Sequence, residues 1–113
     1  MVKKICLLES ITINTSAEKI FDYISNVSND VKWRPEVERM DLQGEIAVGT
    51  RIIEHITIYR FFHIVTPVEF RVLDRPYKFV VETPATDPTW VQCIRTIKPD
   101  GNGNSEFTVQ LSF

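Results

Sequence analysis

The stretch ICLLESITINTSAEKIFDYI, residues 5–24, holds the change of apolar period that decides the fold. In its first half Ile5, Leu7, Ile11 and Ile13 recur at even spacing, which places side chains on one face of a strand. Glu9 interrupts that face. Either a bulge or an exposed strand end accounts for it, or a carboxylate points inward. In the second half Ala17, Ile20, Phe21 and Ile24 fall at i, i+3, i+4 and i+7, one stripe of a helix. Thr15 and Glu18 fit a capping box, in which hydroxyl and carboxylate satisfy the free amides of a helix start.

Outward from this segment, a second short helix is expected from Ser28 to Trp33, ended by Pro35, which pushes its predecessor out of the helical region. From Glu36 onward β-branched and aromatic residues dominate, with regular punctuation. Strands are expected at Val37–Leu42, Thr50–Tyr59, Ile64–Leu73, around Tyr77–Val81, at Trp90–Lys98 and from Phe107 to Phe113. Turns are expected at Arg60–His63, Asp74–Pro76 and the Gly/Asn-rich Pro99–Asn104. One strand, two short helices and six further strands, without βαβ alternation, give the α+β class with an antiparallel sheet of about seven strands.

The chain has 113 residues, the size of one domain spanning 1–113, and its 43% hydrophobic and 25% charged residues are those of a globular protein. No apolar run reaches the ~20 residues needed to span a bilayer, so stable membrane insertion is not expected. A net charge of −2 argues against a nucleic-acid partner. The opening MVKKICLL lacks the apolar core and cleavage site of a leader, which makes the cytoplasm the expected compartment. Cys6 and Cys93 stand far apart in apolar stretches and read as free thiols.

Three segments carry a resemblance to a known family. They are ITINTSAEKIFDYISNVSNDVKW (11–33), KWRPEV with LQGEIAVGTR (32–37 and 42–51), and PVEFRVLDRPYKFVVE (67–82). They resemble the START-like (SRPBCC) superfamily, which includes polyketide cyclase/dehydrase-type and pollen-allergen-like proteins. The resemblance implies a helix-grip fold. In it a curved antiparallel sheet wraps a long C-terminal helix, and the cavity between them binds lipids, sterols or polyketides. The sequence departs from that pattern after its last strand, where no such helix follows Phe113. A truncated chain, a short member of the family, or an open face covered by a partner each explain this. A second copy covering the face is expected, because a bare apolar sheet invites association.

The residues give little support to catalysis. His55 and His63 have no partner at metal-binding spacing, and neither a metal site nor a cofactor is expected. There is no nucleophile elbow and no phosphate loop. The weak acid–base candidates are His55, Glu54, Tyr59 and Glu9. Glu54 and His55 are neighbours on a strand and face opposite sides. Isoleucines occupy both phases there, so the alternation leaves open which of the two points inward.

The expected ligand-binding residues are Trp33, His55, Val68, Phe70, Phe79, Val81, Trp90, Gln92 and Ile94. Trp33 either walls the cavity mouth or packs the helices on the sheet. Trp90, Gln92, Ile94 and Thr96 share one strand phase, which mixes bulk with polar groups as pockets do and sends Arg95 to the opposite side, into solvent. Phe61 and Phe62 fall at the expected hairpin tip, as a lid, a subunit contact or a membrane-touching edge, unless the turn lies elsewhere. Three functions follow: a binding module for a small apolar ligand; a cyclase or dehydratase-like enzyme, by analogy with the family; and an interaction module that docks a partner or a second copy on its open sheet.

Overall fold

The computed structural model describes residues 5–113. The first four residues, which include both lysines of the opening segment, lie outside the described residues. Strand β1 (Cys6–Ile13) leads into helix α1 (Ala17–Ser25), a 3-10 turn at Val27–Asn29 and the short helix α2 (Asp30–Trp33). Six strands follow: β2 (Val37–Leu42), β3 (Arg51–Ile58), β4 (Phe62–Asp74), β5 (Lys78–Glu82), β6 (Gln92–Pro99) and β7 (Ser105–Ser112). They form one antiparallel sheet of seven strands in the order β1-β7-β6-β5-β4-β3-β2. The first and last strands of the chain thus lie side by side, and β2 forms the other edge.

Helix α1 buries the stripe its spacing foretells: Ala17, Ile20, Phe21 and Ile24. Its cap differs from the expected one. Ser16, not Thr15, is the N-cap, and its hydroxyl accepts from the Lys19 amide at 3.3 Å. Both residues carry the required hydroxyl, and the helix starts one residue later than the Thr15–Glu18 spacing suggests. Arg34, ahead of Pro35, is extended at φ −109°, and α2 ends there.

The sheet bends at register shifts between Val37 and Arg39 on β2 and between Phe70 and Val72 on β4. This curvature wraps the concave face around the helices. Ile52, Phe70 and Phe79 are fully buried there. The Phe79 ring meets Phe21 of α1 edge-on at 6.2 Å and Phe70 at 6.1 Å. Each such side chain contributes ~1.5–3 kcal/mol through burial.

The β3–β4 turn lies one residue earlier than expected, at Tyr59–Phe61, and Phe62 already pairs with Ile58. Tyr59 (φ 54°) and Arg60 (φ 66°) both sit in the left-handed region, which side chains other than Gly and Asn disfavour, so the sequence gives no turn signal there. The β6–β7 turn follows its chemistry. Asp100 Oδ1 accepts from the amides of Asn102 (2.7 Å) and Asn104 (3.3 Å), while Gly101 and Gly103 take positive φ. The register of β1 on β7 is regular from Cys6 to Ile13, so no bulge accounts for Glu9, and the strand is exposed instead. Strand order, curvature and paired helices are those of a helix-grip fold, and among the described residues no helix follows β7.

Candidate functional site

The concave face holds a cavity of about 340 Å³. Its walls settle the strand phases that the sequence leaves open. On β3 the even positions face in: Ile52, Glu54 and Ile56 line the cavity. On β4 Ile64, Thr66 and Val68 do so, and on β5 Phe79 and Val81. On β6 the odd positions Cys93 and Arg95 line it, preceded by Thr89 and Val91. Leu111 and Phe113 close the β7 side, and Asp30 and Arg34 come from the helical insert.

Several expected site residues therefore lie elsewhere. Val68, Phe79 and Val81 line the cavity, but Phe70 is sealed in the core beside Phe79. The β6 phase is the reverse of the expected one. Gln92 points to the convex face, where its amide donates to Glu82 Oε1 at 2.7 Å, and Ile94 shares that face. Trp90 lies in the segment before β6, half-buried, and is not among the lining residues. Alternation misleads here because each phase holds one apolar and one polar pair, and the buried pairing of Arg95 with Asp30 makes the choice.

His55 also lies on the convex face. Its Nε2 stands 3.0 Å from Asp41 Oδ2 and 3.1 Å from Arg39 Nη2. Tyr59 is 82% exposed at the hairpin tip, and Phe61 beside it is 81% exposed. Glu9 is exposed on β1. Of the four acid–base candidates, Glu54 alone lines the cavity.

Arg95 overturns its expected place in solvent most sharply, for it is 3% exposed. Its Nη1 donates to Asp30 Oδ1 at 3.0 Å and to the Ile24 carbonyl at 3.1 Å, and its Nη2 donates to Asp30 Oδ2 at 2.5 Å. The guanidinium thus caps the C-terminal end of α1 while pairing with an aspartate that is itself fully buried. It also lies over the Trp33 ring at 4.9 Å and the Phe79 ring at 5.0 Å. Trp33 consequently packs helix on sheet, meeting Phe107 edge-on at 6.1 Å. It lines a separate, shallower groove of about 300 Å³ between α1 and β1, with Ile11, Ile13 and Tyr23.

The chain of charges continues through Arg34. Its Nη1 donates to Asp30 Oδ2 at 3.1 Å, its Nη2 to Glu54 Oε1 at 2.9 Å and its Nε to Glu36 Oε1 at 3.0 Å. Arg95, Asp30, Arg34 and Glu54 thus alternate in sign from the core to the cavity wall. Burial works against the charge on both guanidiniums, but their carboxylate partners outweigh it and hold both pKa values above the ordinary arginine value. Both arginines therefore stay charged at every working pH. The one legible trace of this network was Asp30 four residues before Arg34, a helical ion-pair spacing. Arg95 joins it across 65 residues, and no local pattern announces that.

The comparisons with known proteins agree with this architecture. The family model described as polyketide cyclase/dehydrase and lipid transport matches residues 4–113. The chain belongs to this family. No curated protein is similar enough in sequence to count as a match. Among solved structures, a protein of Deinococcus radiodurans superposes with a TM-score of 0.79 at 10% identity, over 95% of this chain and 81% of that one. The Zhui aromatase/cyclase from a Streptomyces species gives 0.80 at 12% identity, over 98% of this chain and 68% of that one. Norcoclaurine synthase from Thalictrum flavum gives 0.73 at 13% identity, over 97% and 69%. At such identities the likeness is one of fold, and it confirms the START-like architecture. Among the described residues no group of His, Cys, Asp and Glu is placed to hold a metal ion, and no helix is long and apolar enough to cross a membrane.

Proposed function

We propose that residues 1–113 act as one START-like domain that binds a small apolar, lipid- or polyketide-like molecule in the concave cavity. The observation that carries this reading is the wall of the cavity: Ile56, Ile64, Val81 and Leu111 converge on one concave space, and the charged groups at its base are already paired with one another. Such a wall offers burial, at ~25 cal/mol per Å² of apolar surface, as the main source of affinity. Cys6 and Cys93 are free and point to opposite faces of the sheet, which suits a reducing compartment such as the cytoplasm.

Two observations favour variants of this reading. Glu54 lines the cavity, so a cyclase- or dehydratase-like step has one acid–base group within reach of a bound molecule. That carboxylate is engaged by Arg34, and His55 and Tyr59 lie away from it, which favours binding over catalysis. Leu7, Ile11 and Phe113 are 54%, 58% and 42% exposed on the concave side, a surface that a second copy would cover.

Native mass spectrometry over a range of concentrations separates these readings. A 13.1 kDa chain carrying a few hundred daltons of bound organic molecule is the expected result. A dimer without ligand would move the function to the interface. A bare monomer that takes up no added apolar probe would contradict the binding reading.

A further inference from the structure

On the cavity wall Glu54 and Thr66 form a polar spot that the internal ion pairs leave unused. Glu54 Oε1 is taken by Arg34, and Thr66 stands directly across the ladder from Glu54 on β4. Side chains so paired lie ~4.5–5.5 Å apart at Cβ. Among the described residues neither Glu54 Oε2 nor the Thr66 hydroxyl has a hydrogen-bond partner, and both side chains face the cavity. A carboxylate oxygen accepts only, whereas a hydroxyl both donates and accepts. Together they complement a group that donates to Glu54 and accepts from Thr66.

We infer that the cavity takes an apolar molecule bearing a neutral hydroxyl, an alcohol or phenol, whose O–H donates to Glu54 Oε2 while its oxygen accepts from Thr66. This rests on the binding reading above and narrows its ligand. A carboxylic acid suits the site poorly. All three nitrogens of Arg34 already donate to carboxylates, so an incoming anion would meet Glu54 without a free cation. An ammonium suits it poorly too. Glu54 is already balanced by Arg34 at 2.9 Å, and the amine would give up its hydration beside a second positive charge.

Displacement of the neutral dye Nile red by four probes of one chain length tests this: decanol, decyl methyl ether, decanoic acid and decylamine at neutral pH. Decanol should bind about 12–160-fold more tightly than the ether, the range for one hydrogen bond to a charged group, and more tightly than acid or amine. In Glu54→Gln the amide oxygen can stay on Arg34 and turn its NH2 to the cavity, so the alcohol-to-ether ratio should fall toward one. Thr66→Val should weaken decanol and the ether alike, because both oxygens accept from Thr66, and leave the ratio nearly unchanged. An unvaried ratio near one in the native chain, or tightest binding of the acid or amine, overturns the hydroxyl assignment and leaves the binding reading intact. Failure of Nile red and all four probes to bind overturns both.

Discussion

The concave face has two halves built on the same alternation, and they meet opposite fates. Beneath α1 and α2, Ile52, Phe70 and Phe79 are wholly buried, and even a charged pair, Asp30 and Arg95, is sealed in with them. Toward β1 and the end of β7, Leu7, Ile11 and Phe113 keep the same period but remain 42–58% exposed. Periodicity therefore identifies a face and says nothing of what covers it. Coverage comes from the helical insert, which reaches only one half of the sheet.

That contrast can be broken first at its sealed half. Asp30→Ala removes the shared partner of Arg95 and Arg34 and leaves charge buried without compensation. A loss of about 3–5 kcal/mol is expected in denaturant unfolding. An unchanged midpoint would mean that the pair is solvated in solution. Phe79→Ala follows, at about 3 kcal/mol or more, because it opens a cavity between Phe21 and Phe70. The matching truncation in the open half, Phe113→Ala, should cost within about 0.5 kcal/mol, as surface changes do. Equal losses at Phe79 and Phe113 would show that the open half is covered in solution. The same measurement as a function of protein concentration would identify a second copy as the cover.

The smallest effect belongs to an exposed pair on the helix side. Arg75 donates to both oxygens of Asp22 at 2.9 and 3.0 Å, and this holds the carboxyl below its ordinary pKa of 3.8. A depressed carboxyl adds stability above its unfolded pKa and loses it as pH falls through the folded value. The stability curves of the native chain and Arg75→Ala should thus differ slightly at neutral pH and converge in acid below that value. A gap that widens in acid would contradict the assignment.

Much of this fold was legible in the sequence. The change of period at residues 13–17, the proline after Arg34 and the Asp-Gly-Asn-Gly turn act locally, and local chemistry decided those elements. The site was legible only in part. Val68, Phe79 and Val81 stood on strands whose phase was plain, and they line the cavity. The β6 phase is not legible in the sequence because Cys93 and Arg95 compete with Gln92 and Ile94 on equal terms. What decides between them is Asp30, 65 residues from Arg95 in sequence and in direct contact with it in the fold. Glu54 was one of two open choices on β3, and its place in the cavity follows from Arg34. Long-range ion pairs of this kind leave no spacing to read.

The proposed function places an apolar molecule in the concave cavity. Methyl chemical-shift mapping during titration with decanol tests it most directly, because side chains and not amides alternate between the faces. The largest shifts are expected at the methyls of Ile56, Ile64, Val81 and Leu111, which line the cavity, while Ile53 and Ile94 on the convex face move little. Saturable shifts centred on the convex face, or none in the cavity, would contradict it.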